Sequence, residues 1–493
     1  MSSMKRKMER KNRKINSSSL DSHKKQGKTL IPPFLNIPKL QPVSWMDERL
    51  PEFLWAALLI QGLGRTNAIL RMKEVVKFWY DQPKEMRPKS LSHTDISSLE
   101  ATNQRGFLNF LCKNEATRQS LQPLLLLCPE LPGSEVWAEV LKAENSKPEM
   151  WNVLKKTIFE VIDHQSQIAT DCRWLRVFYF TVINGLKHSR SNVEALFGYP
   201  NVGEMTSVRP YIRSVEMTLD FGQTIDFTWS KNFWRLCMER TSCIPLDISC
   251  HDNEVNTKLS PQDTQDILEK LKLHWDNIVK DTDINPKQDA VFGITFYCVS
   301  ILEELLQSNN NVGILGRSGL RTLVECYITL AYLIKKDQED LWKAYRHYGT
   351  GQAKLSLLKL TEKVDQQPSS INIDDLERLS NEDYWQEFLP MDLGNWAKAN
   401  LRIMSEEAGI KDTYDTFYDW SSGFVHGHWG AVRDSVFVTC ANPLHRFHRI
   451  PDNRRNLNNV ISDAVILVNK ILELLDKAYP QFSERIVASD IQI

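Results

Sequence analysis

Apolar residues recur at helical spacing along most of the chain. After Pro51, a residue suited to a first helical turn, Leu54, Leu58 and Leu59 follow three to four residues apart. Similar stretches over 65–80, 104–128, 134–144 and 149–163 predict further helices, and 173–187 is apolar enough to be a buried one. The second half is clearer. Ser260 before Pro261, with Asp263 behind it, marks a helix start: the serine caps, the proline fills the first turn and the acid meets the positive end of the dipole. Ile267, Leu268, Leu271, Trp275, Ile278 and Val279 then line one face. Val291–Leu306 reads as a buried helix, and Arg317–Lys335 as another, with Leu320, Leu323, Val324, Tyr327, Leu330, Ala331 and Ile334 on its apolar side. Trp396–Met404, Tyr414–Val425 and Val460–Leu475 complete the set, with 365–382 left as a loop.

Two departures from this pattern are local. Met217–Trp229 alternates in places around Gly222, which predicts a small β-hairpin near 215–230. Gly313, Gly316 and Gly319 superficially resemble a phosphate loop but lack the Gly-Lys-Ser/Thr ending, so they read as the turn before the Arg317 helix. No repeat of fixed period is present. The expected fold class is therefore all-α, a multi-helix body in two halves. Residues 43–255 form an N-terminal helical domain and 256–493 a C-terminal one. Pro32, Pro33, Pro38 and Pro42 make a stiff linker, so 1–42 is a flexible basic tail and Pro-rich connection.

Composition narrows the class. The chain has 493 residues, 42% of them hydrophobic and 25% charged, as in ordinary globular proteins. Its longest nearly continuous apolar run, Val291–Leu302, spans 12 residues and contains Gly293, Thr295 and Ser300. A membrane-spanning helix needs about 20, so no membrane partner is expected. Basic residues at the N-terminus precede no apolar core, so no secretory signal is expected. Nine cysteines are scattered without a C-x-x-C pair, pointing to reduced thiols and a cytoplasmic location. Net charge is −1, but residues 1–30 carry ten Lys/Arg against two acids. Lys5, Arg6, Lys7, Arg10, Lys11, Arg13 and Lys14 dominate this arm, which suits nucleic-acid phosphates or, equally, simple solvation.

Chemistry concentrates near the C-terminus. Four of eleven histidines, His426, His428, His445 and His448, fall within 23 residues, among Gly423, Gly427 and Gly430. Imidazole titrates near neutrality and suits general acid–base work. Arg433 is placed to hold a phosphate, and Asp419 to orient His426. A zinc reading would draw on His426, His428, Cys440, His445 or His448. Their H-x-H-x11-C-x4-H-x2-H spacing matches no standard structural pattern, so no metal and no other cofactor is expected. The competing structural reading makes His426 a helix-end residue satisfied by a hydrogen bond. Arg317, Arg321 and Glu325 share a helical stripe, with Glu325 inside an apolar run. Tyr345, His347 and Tyr348 follow Trp342, either stacking on bases or packing in the core. No G-x-S-x-G, H-E-x-x-H or kinase motif is present.

Taken together, Arg321 with Glu325, Trp342 with Tyr345, and Tyr414, Tyr418, Ser422 and His426 in a Y-x3-Y-x3-S-x3-H series resemble an uncharacterised family of bacterial helical proteins, over roughly residues 260–475. That family is similar to HEPN-type helical domains. The resemblance implies a metal-independent endoribonuclease of the antiviral-defence or toxin type, acting on RNA and forming a homodimer. It implies His426, Arg321, Glu325 and Arg433 as catalytic residues and Tyr345, Tyr418, Ser422 and His428 as substrate-binding ones. In HEPN nucleases an arginine shortly precedes the histidine. Here Asp419, Trp420 and Ser421 include no arginine or other cationic side chain, so Arg321 or another distant arginine would complete the site. The alternative is a non-catalytic helical adaptor that senses a phage or host protein.

Overall fold

The computed structural model describes residues 23–31, 44–142, 147–203, 205–219, 228–245, 259–280, 283–307, 309–362, 368–382, 391–392, 394–452 and 457–487. The basic residues Lys5 to Lys14 and most of the Pro-rich connection lie outside them. Chain packing separates two units: 1–245 with 440–448, and 246–439 with 449–493. Both are helical, and the described strands are two short antiparallel pairs, Lys24–Gln26 with Thr29–Ile31 and Phe437–Thr439 with Arg449–Pro451. Of the hairpin expected near 215–230, the flanks belong to helices Met205–Thr218 and Thr228–Arg240, and 220–227 lie outside the described residues. Among the described residues no helix is long and apolar enough to cross a membrane.

The first unit is organised by Leu54–Leu63, apolar on every side and buried from Leu54 to Ile60. A helix of that composition must be surrounded. It packs against Arg65–Asp81, Glu115–Leu121, Lys147–Val161 and Gln167–Asn184. Five of the large aromatics bring a satisfied polar atom into the core, whereas the indole N–H groups of the buried Trp79 and Trp137 have no hydrogen-bond partner among the described residues. The indoles of Trp45, Trp55, Trp174, Trp229 and Trp234 donate to the carbonyls of Val161, Leu91, Leu196, Pro51 and Met46 at 2.8–3.2 Å. Buried charge is paired with opposite charge. Glu216 is 1% exposed and accepts from Arg176 at 2.6 Å and Arg49 at 3.0 Å, with Arg173 at 3.5 Å. Burial alone would raise its carboxyl pKa, but Arg176, Arg49 and Arg173 together hold it below the usual carboxylate range.

The second unit rests on three long helices, Pro286–Gln307, Ile314–Lys336 and Ile461–Ala478, packed pairwise around Leu302, Leu323, Ile328, Val468 and Leu472. Pro261–Ile278 lies on the first of these and begins as the sequence predicts, with the Ser260 N–H donating to the Asp263 carboxylate at 2.7 Å. Glycines permit close approach at the start of Ile314–Lys336. A Cβ on Gly316 would stand 2.5 Å from the Asn310 carbonyl oxygen. The sequence places Gly316 and Gly319 in a turn, but the helix already starts at Ile314, and both lie inside it. Short helices Leu401–Ala408 and Asp419–Val425 are laid across Ile314–Lys336. Ile373–Ser380 is likewise helical where a loop was expected, capped by Asn372 and too short to register as a pattern.

Candidate functional site

Ile314–Lys336 presents Arg317, Arg321 and Glu325 one turn apart. The Arg321 guanidinium donates to Tyr418 Oη at 2.6 Å and pairs with Glu325 at 2.8 Å. It also stands 4.6 Å over the Tyr418 ring, which stacks on Tyr414 at 4.6 Å. A single π-helical turn, Tyr414–Tyr418, leads into Asp419–Val425, and such turns are frequent at functional sites. One turn back, Arg317 lies 5.8 Å from the Phe424 ring and donates to the carbonyls of Asn311 and Asn458. Arg321 facing Tyr418 while Arg317 faces Phe424 means that the two helices run antiparallel. Burial lowers the Arg317 pKa, opposed by the carboxylates of Asp434 and Asp463, and raises that of Asp463, opposed by Arg317.

Asp419–Val425 then ends. The His426 N–H reaches the Ser422 carbonyl at 3.1 Å, Gly427 turns left-handed at φ +61°, and the His428 N–H closes on the Gly423 carbonyl at 2.9 Å. This is the glycine-terminated helix end that leaves flanking side chains outside. His426 and His428 are consequently both exposed, with ring centroids 5.8 Å apart. Trp429–Val436 follows at once. Gly423 and Gly430 allow the two short helices to meet, since a Cβ on Gly430 would come within 3.3 Å of the Trp420 ring. Phe424, Ala431 and Leu457 form a small core beneath them.

The two short helices that flank the glycine turn also carry exposed indoles, Trp420 at 59% and Trp429 at 58%. Arg449 stands 5.5 Å over the Trp429 ring, and Phe437 is 6.0 Å from it. Arg433 projects one turn after Trp429 and donates to Thr439 Oγ1 at 2.8 Å.

The structure thus joins Arg321, Glu325 and Tyr418 in one group, and His426 with His428 in another. Tyr418 precedes His426 by eight residues, roughly 12 Å of helical rise at about 1.5 Å per residue. Ser422, half-buried, holds His426 through its backbone carbonyl. Asp419 is exposed, as is His426. Tyr345 packs edge-on to Trp396 at 5.2 Å, and burial pushes its pKa up to about 12. Cys440, His445 and His448 belong to the first unit. Sequence reasoning missed Trp420, Trp429 and Arg449. Tryptophan at helical spacing reads as core, and only the dense run of glycines around the two rings hints that the helices here are too short to cover them.

Residues 298–442 match the model of a family of unknown function, DUF5677. No curated protein and no solved structure matches the chain.

Proposed function

We propose that the second unit binds single-stranded RNA across Trp420, Trp429, Arg433 and Arg449 and cleaves it without a metal ion, His426 and His428 serving as the acid–base pair. The observation that carries this reading is the pair of exposed imidazoles, 5.8 Å apart on a glycine turn, with an exposed indole on each of the two helices the turn joins. Unpaired bases stack on aromatic rings, and arginines hold the intervening phosphates. A neutral imidazole takes the proton of the ribose 2′-hydroxyl, and the oxygen attacks the adjacent phosphorus. The second imidazole, protonated, gives its proton to the departing 5′ oxygen. The products are a 2′,3′-cyclic phosphate and a 5′-hydroxyl, and DNA, lacking the 2′-hydroxyl, is left intact. Arg321, Glu325 and Tyr418 act as positioning residues that brace the Asp419–Val425 helix against Ile314–Lys336. The basic N-terminal arm would add salt-dependent affinity. The resemblance to HEPN-type domains supports the same chemistry and suggests a defence or toxin role in the bacterial cytoplasm.

The test is induced expression of wild type, His426→Ala and His428→Ala in a bacterial host, following growth and total RNA together. Cleavage by wild type should fall at least ~100-fold in each variant, the scale of a lost general acid or base. RNA left intact by wild type in the host and by the purified chain refutes the reading. A second reading, an adaptor for a protein partner, is favoured by the exposed Val432 and Val436 on the Trp429 side of the last short helix. It predicts that Val432→Asp abolishes the cellular effect while His426→Ala preserves it.

A further inference from the structure

The first unit gathers four soft or borderline ligand atoms that the function proposed above does not use. Cys243, Cys440, His445 and His448 each offer one atom, and these atoms all lie within 4.8 Å of one another. Cys243 Sγ is 3.2 Å from His448 Nε2, and Cys440 Sγ is 3.5 Å from His445 Nδ1. In a tetrahedral zinc centre, with Zn–S of about 2.3 Å and Zn–N of about 2.0–2.1 Å, neighbouring ligand atoms stand ~3.3–3.8 Å apart. The observed set needs only a small contraction to reach that shape.

The backbone around the four atoms is built to hold them. Pro245 and Cys440 face each other in an antiparallel bridge, and the Ala441 N–H donates to the Ile244 carbonyl. Asn442 is fully buried and ties the two segments again, its amide donating to the Ser242 carbonyl at 2.9 Å and to Thr241 Oγ1 at 3.1 Å. The turn Pro443–His445 packs against helices Lys147–Val161 and Thr228–Arg240. Arg446 and Phe447 then both take left-handed backbone, φ +53° and +51°, which non-glycine residues rarely adopt in succession. That reversal returns the His448 N–H to the His445 carbonyl at 3.0 Å and brings the two imidazoles to one side.

Protonation follows from the hydrogen bonds. The Thr241 hydroxyl donates to the Cys237 carbonyl at 2.7 Å, so toward His445 Nε2, 2.8 Å away, it can only accept. His445 therefore carries its proton on Nε2 and turns the lone pair of Nδ1 toward Cys440. This is the outer-shell arrangement that fixes a ligating imidazole. The Ile244 N–H points at Cys440 Sγ from 3.5 Å, a donor suited to a thiolate.

From these contacts we propose that Cys243, Cys440, His445 and His448 bind one zinc ion, in a closed structural site that fastens segment 440–448 to residues 241–245. Two thiolates and two imidazoles select Zn2+ among the common divalent ions, and four protein ligands leave no position open for catalysis. His445 and His448 lie beyond the family match, which ends at residue 442, so the complete site is not a property of the matched segment.

The full chain, purified under reducing conditions without chelator, should carry one zinc per molecule by elemental analysis. After exchange with Co2+ it should show the visible absorption of tetrahedral cobalt together with a thiolate charge-transfer band. Cys243 is exposed, so Cys243→Ser should fold, and it should lose at least ~100-fold in Zn2+ affinity. Thr241→Val keeps all four ligands and removes the acceptor for His445, and a 10–100-fold loss is expected. Wild type that neither retains zinc nor binds added Zn2+ tightly enough to survive dialysis overturns the proposal. So does a folded Cys243→Ser chain that binds zinc with wild-type affinity.

Discussion

Replacing Glu216 with Gln keeps its volume and removes a carboxylate that Arg49, Arg173 and Arg176 share. All four side chains are at most 5% exposed, so water cannot substitute for the lost charge. Deleting one partner of a buried ion pair typically costs about 3–5 kcal/mol, against ~0–1 kcal/mol for an exposed pair. For a folding unit of this size each kcal/mol moves the melting temperature about 2–4 °C, so a loss of roughly 6–20 °C is expected. Glu139→Gln supplies the control. Its partner Arg105 is held at 2.7 Å, yet both side chains are 42% exposed or more, and the change should be small. The pH dependence follows from the depressed Glu216 pKa. A carboxyl held below its unfolded value contributes stability above that value, about 4.3 on the model-peptide scale, and loses it as pH falls through the folded value. The gap between wild type and Glu216→Gln should therefore narrow on acidification below about pH 4. Urea unfolding followed by circular dichroism, at pH 7 and in steps down to pH 3.5, measures both quantities. A Glu216→Gln chain within 1 kcal/mol of wild type at pH 7 would refute the argument, as would a gap that does not change with pH.

Three further variants test titration and packing elsewhere in the two units. Burial pushes the Glu52 carboxyl up to about 7, although it accepts from the Thr94 N–H and hydroxyl at 2.8 and 2.7 Å. Because this pKa is raised, the folded state favours the protonated form, and stability declines as pH rises from the unfolded value through 7. Glu52→Gln should gain about 3 kcal/mol relative to wild type between pH 4 and pH 8, read from unfolding free energies at the two ends. Gly316→Ala drives a Cβ against the carbonyls of Asn310 and Asn311, at 2.5 and 3.0 Å, and should lose about 1–3 kcal/mol despite the better helix propensity of alanine. Gly319→Ala meets only the side chains of Leu305 and Ile301 at 3.4–3.5 Å and should be neutral or stabilising, with thermal melts separating the two cases.

What could be read in advance was whatever depends on neighbours in sequence. The Ser260–Pro261 start and the apolar face of Arg317–Lys335 are local signals, and the structure repeats them. The Arg321–Glu325 pair is four residues apart and forms as helix geometry requires. Gly316 and Gly319 were misplaced because glycine signals a turn and a close approach equally, and only the packed partner decides between them. Met217 and Thr218, where the strand-like alternation starts, lie in a helix, next to Glu216, which is fixed by arginines 40 and more residues away. Local periodicity carries no information about such a partner.

The same limit explains why the histidine cluster read as one object and folds as two. Spacing groups His426, His428, Cys440, His445 and His448 because they are near in sequence. Between them the chain passes through the strand Phe437–Thr439, and from Cys440 it belongs to a different unit. There the missing ligand is Cys243, 197 residues earlier, and nothing along the sequence connects it to His445. Once His445 and His448 are engaged with Cys440 and Cys243, the zinc pattern that failed on spacing no longer needs His426 or His428. Those two imidazoles are left on a solvent-facing glycine turn with no ligand role. That division makes the two readings independent. Zinc content reports on residues of the first unit, and the acid–base step of RNA cleavage reports on residues of the second. A chain without zinc could still cleave RNA, and a chain that leaves RNA intact could still hold zinc.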